Sequence, residues 1–145
     1  TTPQEIAKLI SERNIVCIFQ GRSEAGPRAL GNRSILYDPT DPNGKDFVNT
    51  VKKREWFRPF AGTVLLEKAK DYFDMAGLTK EQNPHYYKLI QEFEKITGIP
   101  ILFNTSFNLA GDPLVETIED ALETILKSEL KYLYLPELEM LLEKK

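Results

Sequence analysis

A chain of 145 residues, 41% of them hydrophobic and 28% charged, is long enough to bury its own core and is expected to form one domain, 1–145. Its longest apolar runs, TVLL and IPILF, are far too short to cross a bilayer, and a formal charge of −3 argues against general nucleic-acid binding. Cys17 is the single cysteine, which excludes an internal disulfide; with no charged-then-apolar leader at the start, the expected location is cytoplasmic.

Pro3 suits the first turn of a helix whose apolar stripe is Ile6, Leu9 and Ile10, ending near Asn14. IVCIF then reads as a short buried strand, with Cys17 a small buried hydrophobe. QGRSEAGPRALGNRS, residues 20–34, has neither strand alternation nor a helical stripe and is a loop, from which RSIL emerges as a second strand. DPTDPNG is a turn cluster, and Asp46 to Lys53 a helix with Phe47, Val48 and Val51 on one face. PFAGTVLLE comes next as a strand and KAKDYFDMAG as a short amphipathic helix ended by Gly77. NPHYYKLIQEFEKITG is the clearest helix, with Tyr86, Leu89, Ile90, Phe93 and Ile96 as its core stripe and Gly98 closing it. IPILF is another buried strand. Thr117 caps IEDALETILKS with Asp120 at the capping-box position, and YLYL and a closing helix from Pro136 complete the chain. Helices alternating with short apolar strands predict an α/β sheet covered by helices.

Between Gly21 and Arg58 stand eight Lys or Arg residues against five acids, which predicts a local basic pocket for a small anion on an acidic domain. Three polar clusters lie at strand ends. In the first, Arg22, Arg28 and Arg33 stand among glycines; guanidinium forks pair with phosphate oxygens, and glycines let backbone N–H groups approach an anion. The bland alternative is a loop whose arginines pair with Glu24 and Asp38. It is not a Walker loop, since no Gly-Lys-Ser/Thr ends it. The second, VKKREWFRPF, interleaves Lys52, Lys53, Arg54 and Arg58 with Trp56 and Phe57, which suits either a nucleotide or a solvated helix end. The third, LFNTSFNLAGDP, carries Asn104, Thr105, Ser106 and Asn108 out of a strand, as a ligand-binding edge or a self-satisfied turn. His85 is the single histidine and no CxxC is present, so no metal site is expected. Arginines, lysines and neutral polar groups suit phosphoryl or nucleotidyl transfer, where positioning and charge stabilisation do most of the work.

Taken together, GRSEAGPRALGNRSIL, KKREWFRPFAGTVL, NPHYY and TGIPILFNTSFNLAGDPLVET resemble the C-terminal domain of the O-carbamoyltransferases, which include nodulation and antibiotic carbamoyltransferases. That domain is similar in turn to the threonylcarbamoyl-AMP synthases, whose Lys-x-Arg signature falls on Lys52 and Arg54 and whose Ser-x-Asn signature falls on Ser106 and Asn108. The resemblance implies a YrdC-like fold, a twisted mixed α/β sheet with helices packed on it. It implies binding of ATP, with its Mg²⁺, and of carbamoyl phosphate, and formation of carbamoyl-adenylate with release of pyrophosphate. Lys52 and Arg54 would be catalytic. Arg22, Arg28, Arg33, Arg58, Asn104, Ser106 and Asn108 would bind nucleotide and phosphate. The family's full enzymes add an N-terminal domain, holding Fe²⁺ through histidine, where the carbamoyl group passes to an alcohol. Nothing in this sequence matches it, so this chain is expected to stop at the adenylate. Only Ala76, Gly77 and Leu78 stand where the family carries a longer insertion. The competing expectations are an inactive module that binds nucleotide or carbamoyl phosphate and, against the charge of −3, an RNA-binding domain.

Overall fold

The computed structural model describes residues 1–25, 28–72 and 81–145. Among them are helices α1 (Pro3–Ser11), α2 (Gly44–Val51), α3 (Leu66–Tyr72), α4 (Pro84–Thr97) and α5 (Ile118–Leu126). The strands are β1 (Val16–Phe19), β2 (Arg33–Tyr37), β3 (Ala61–Val64), β4 (Ile101–Ser106), β5 (Tyr132–Leu135) and β6 (Met140–Glu143). The strands form one open mixed sheet in the order β3-β4-β2-β1-β5-β6. Only the β1–β5 pair is parallel; every other neighbouring pair is antiparallel. This is the mixed α/β architecture that the sequence predicts, consistent with a YrdC-like fold. No helix among the described residues is long and apolar enough to cross a membrane.

Strand alternation divides the core between two faces. Val16, Ile18, Leu36, Leu102 and Tyr134 pack with Ile6, Ala7 and Ile10 of α1 and Leu89, Ile90 and Phe93 of α4. On the other face Cys17, Ile35, Tyr37, Leu133 and Leu135 meet Val48 and Val51 of α2 and Ala121 and Ile125 of α5. Strand β2, buried along its whole length, lies inside the sheet between β1 and β4. Cys17 is therefore a core residue, and burial pushes its thiol pKa up, away from nucleophilic use.

Helix ends obey the chemistry of their capping residues. Thr2 with Glu5, and Thr117 with Asp120, form reciprocal capping boxes at α1 and α5. Asn83 caps α4 by accepting the Tyr86 N–H, and Gly98, at φ 77°, ends it. Two expected core positions face outward instead: Phe47 and Ile96 are each 44% exposed. Phe47 covers the ring of Tyr37 from outside, with centroids 5.5 Å apart, while Ile96 sits on the last turn of α4. The expected PFAGTVLLE strand is shorter than the motif, since Leu66 already begins α3. The stop at Gly77 lies outside the described residues.

The expected closing helix is replaced by a hairpin. A single 3-10 turn, Pro136–Leu138, leads through Glu139 at φ 49° into β6, which pairs Met140 with Leu135 and Glu143 with Tyr132. The spacing of Leu138, Leu141 and Leu142 is compatible with a helix. What decides is that Leu141 packs on the core of one sheet face and Leu142 on that of the other, which only extended backbone allows. Pairing also satisfies the free edge of β5.

At the start of β2, Gly31 lies at φ 100° with no room for a side chain: a Cβ there would fall 2.2 Å from the Tyr86 ring. Gly31→Ala combines backbone strain with overpacking, and is expected to destabilise the chain by roughly 2–4 kcal/mol. Urea unfolding monitored by circular dichroism checks this; an unchanged midpoint would mean that loop and helix do not meet here.

Candidate functional site

Helix α2 delivers the first part of the site. Val48 and Val51 anchor it to the sheet, Lys52 stands at its C-cap, and Lys53 at φ 56° turns the chain so that the Arg54 N–H reaches back to the Asn49 carbonyl. The buried side chain of Asn49 shapes the segment after the helix. Its Oδ1 accepts from Arg54 Nε, and its Nδ2 donates to the carbonyls of Trp56 and Arg58 at 3.2 and 3.1 Å. The Arg54 guanidinium consequently lies 4.3 Å over the Phe60 ring, itself stacked on Phe103 of β4, and donates to Thr105 Oγ1 at 3.4 Å. Burial, with Arg58 nearby, holds the Arg54 pKa below the ordinary guanidinium value.

Strand β4 and the turn after it deliver the second part. Lys52 Nζ donates to the Ser106 carbonyl and, at 3.2 Å, to Asn108 Oδ1. Ser106 Oγ donates to the same Asn108 oxygen at 2.7 Å, and Asn108 Nδ2 donates to the Asp112 carbonyl at 2.8 Å. The backbone repeats the tie, because the Ala110 N–H donates to the Lys52 carbonyl at 3.0 Å. Lys52 is only 2% exposed, and among the described residues no carboxylate pairs with it. Burial pushes its pKa down to about 7; the Arg54 charge pushes the same way, and only a charged Cys17 would oppose. Lys52, Arg54, Ser106 and Asn108 are thus gathered into one cluster with Thr105 and Asn49.

The arginine loop is organised from within. Glu24 Oε1 accepts the N–H groups of Leu30 and Asn32, each at 2.8 Å, and its Oε2 accepts that of Arg33 at 3.3 Å. The Gly31 N–H donates to Ser34 Oγ. Backbone donors expected to approach an anion are therefore engaged at residues 30–33. Gln20 donates to the Gly31 carbonyl and to Asn83 Oδ1, and Asn83 Nδ2 donates to Asn32 Oδ1, so the cap of α4 also clamps the loop. Asn104 reaches the loop rather than the lysine: its Nδ2 donates to the Ala29 carbonyl at 2.9 Å and to Thr63 Oγ1 at 3.0 Å, leaving Oδ1 buried without a partner.

The arginines divide accordingly. Arg33 is buried, its guanidinium 3.6 Å from the Phe19 ring and donating to the carbonyls of Gln20, Gly21, Asn32 and Glu116. Those contacts make it a tie between the loop and the residue before the cap of α5, while its Nε is buried without a partner. Arg22 and Arg28 are exposed, and among the described residues their side chains pair with no acid, including Glu24 and Asp38. Gly26 and Pro27 lie outside the described residues. Arg58 is exposed and paired with Glu55 at 2.8 Å. His85 is exposed on the first turn of α4, and the described residues contain no group of three or more His, Cys, Asp or Glu that could hold a metal. Sequence reasoning missed Asn49, although a polar residue beside Val48 on a buried helix face was a readable sign of it.

The family model described as Carbamoyltransferase C-terminus matches residues 7–78 and 75–144. An uncharacterized protein of Methanocaldococcus jannaschii is 40% identical over 83% of this chain and 25% of its own length. Nodulation protein NolO of Bradyrhizobium diazoefficiens is 38% identical over 77% of this chain and 27% of its own, and NolNO of Sinorhizobium fredii 37% identical over 86% and 24%. The chain spans about a quarter of the length of each of these relatives. Alignments of 154 and 161 positions exceed the 145 residues of the chain, so the relatives carry residues with no counterpart here. The family match divides at residues 75–78, which coincides with the short Ala76–Leu78 link.

The depressed Lys52 pKa makes stability depend on pH with a definite sign. Between about 7 and the ordinary lysine value of 10.5, the unfolded chain holds a proton that the folded chain has released. Stability therefore rises with pH across that window, and below it the buried cation is a standing cost. Chemical unfolding at several pH values is expected to give a steeper rise for the parent than for Lys52→Met. Equal slopes would place the amine in ordinary solvent.

Proposed function

The chain belongs to the carbamoyltransferase C-terminus family, and from that premise we propose that it binds ATP and carbamoyl phosphate and forms carbamoyl-adenylate within a larger O-carbamoyltransferase. The observation that carries this reading is the meeting of Lys52 and Arg54 with Ser106 and Asn108 across the gap between α2 and β4. Lys52 and Arg54, which form no salt bridge among the described residues and are set among hydroxyl and amide groups, suit a polyphosphate held beside a small carbonyl compound. Magnesium arrives with the nucleotide in this reading, shared among phosphate oxygens, since the described residues offer no acidic cluster for a resident ion.

The atoms balance when one water is consumed. Carbamoyl phosphate and water give carbamate and phosphate; a carbamate oxygen then attacks the α-phosphorus of ATP as the bond to pyrophosphate breaks. Negative charge grows on the departing pyrophosphate, and the fixed cations of Lys52 and Arg54 stabilise it. Ser106 and Asn108 orient Lys52 and bond the carbamoyl or nucleotide oxygens. Arg22 and Arg28, whose guanidinium groups pair with no acid among the described residues, are available for further phosphate oxygens, with Arg58 once it leaves Glu55. Asn104 and Arg33 serve by holding the loop. The chain corresponds to about a quarter of its relatives, and the remainder is the proposed place for Fe²⁺ and for transfer to the alcohol.

Two experiments test the reading. Labelled pyrophosphate is expected to exchange into ATP when carbamoyl phosphate is present, and Lys52→Ala to slow this roughly a hundredfold or more. Exchange unaffected by the substitution would reject the site. Because a bound polyphosphate favours the charged amine, ATP binding somewhat above pH 7 is expected to take up a proton. Calorimetry in buffers of different ionisation heat measures that uptake, and a value of zero would separate Lys52 from the phosphates.

A further inference from the structure

The surroundings of Lys52 suit an amine better than an ammonium. An ammonium has three N–H donors, whereas a neutral amine has two and a lone pair. Nζ meets two acceptors, the Ser106 carbonyl and Asn108 Oδ1, both uncharged. They match the two donors of the amine and leave its lone pair free. The charged and titratable groups facing it do not favour a cation. The segment after α2 contributes Arg54, which repels one, and β1 contributes Cys17, kept as a thiol by burial; β4 and its turn contribute only the neutral Ser106 and Asn108.

We propose that Lys52 is a covalent carbamoylation site, whose amine adds to the carbonyl carbon of the chain's own carbamoyl donor, or to the carbon of cyanate, and becomes a neutral urea. The identity of the donor rests on the adenylate-forming reading above. With carbamoyl phosphate, an N–C bond forms, the C–O bond to phosphate breaks, and phosphate leaves with the amine proton. With cyanic acid, the amine adds across the C=N bond and its proton moves to the former cyanate nitrogen, so no group departs. Either product removes the cation that the proposed adenylation requires. The same neutral oxygens that keep Lys52 oriented thus expose it to inactivation by the substrate when no nucleotide has re-protonated it. Burial and Arg54 already bring its pKa down to about 7, which raises the amine fraction at neutral pH far above that of an ordinary lysine.

The test uses the whole chain and cyanate as probe, with mass-spectrometric peptide mapping of each lysine. Exposed Lys53, next in sequence, is the internal reference. Near neutral pH, Lys52 is expected to label roughly tenfold or more faster than Lys53, because its larger amine fraction outweighs the lower nucleophilicity of a weaker base. Divided by the concentration of cyanic acid present at each pH, its rate should level off above about pH 8. Asn108→Asp supplies a carboxylate, so the midpoint of the Lys52 profile should move upward. Lys52 labelling no faster than Lys53, or a midpoint unmoved in Asn108→Asp, would overturn the proposal. Pyrophosphate exchange reads the adenylation separately: a chain that fails to exchange but labels first at Lys52 keeps the reactive amine and loses the adenylate.

Discussion

The hydrogen bonds from Lys52 Nζ to the Ser106 carbonyl and Asn108 Oδ1 join segments more than fifty residues apart in sequence, and the rest of the site is arranged around them. A buried amine with neutral partners has nowhere else to turn, so it fixes the C-terminal end of α2 against the turn after β4. The backbone bond from Ala110 to the Lys52 carbonyl doubles the connection. The position of Arg54 depends in turn on Asn49, whose two amide atoms hold the guanidinium on one side and two carbonyls of the next turn on the other. Placement of both side chains thus depends on uncharged oxygens, which leaves the Arg54 charge available to something else.

The arginine loop solves a different problem. A glycine-containing segment of this length is costly to order, and side chains inside the loop supply the order. Glu24 gathers three backbone N–H groups, and Arg33 donates to four carbonyls, so two oppositely charged side chains stitch the loop without bonding to each other. Asn83 connects this structure to α4 and Asn104 connects it to β4. The described part of the loop is thus held by these contacts, with the side chains of Arg22 and Arg28 left outside them.

Much of this is legible in the sequence where local chemistry decides. The capping box of α5, the apolar stripe of α4 and its terminal glycine, and the short apolar strands all derive from residue type and spacing. Lys52 with Arg54 and Ser106 with Asn108 are visible as pairs, but their meeting is visible only through resemblance, because sequence spacing carries no information on which loops converge. The final hairpin escapes a reading by period, since Leu141 and Leu142 fit either one and the choice lies with two core faces that only the folded sheet creates. The arginines among glycines look equivalent in sequence. What separates Arg33 is its place as the first residue of β2, where its neighbours are carbonyls, a matter of register and not of composition.

Asn49 has an optical consequence. Trp56 is the chain's single tryptophan, 74% exposed, and its carbonyl is held by the same amide that holds Arg54. The indole therefore sits in water while its backbone is mechanically linked to a cation of the cluster. Its emission belongs to one known position, with no second tryptophan to blur the spectrum. Any event that draws Arg54 away from Asn49 is transmitted through one side chain to a fluorophore already in the protein, so the site reports on itself without a label.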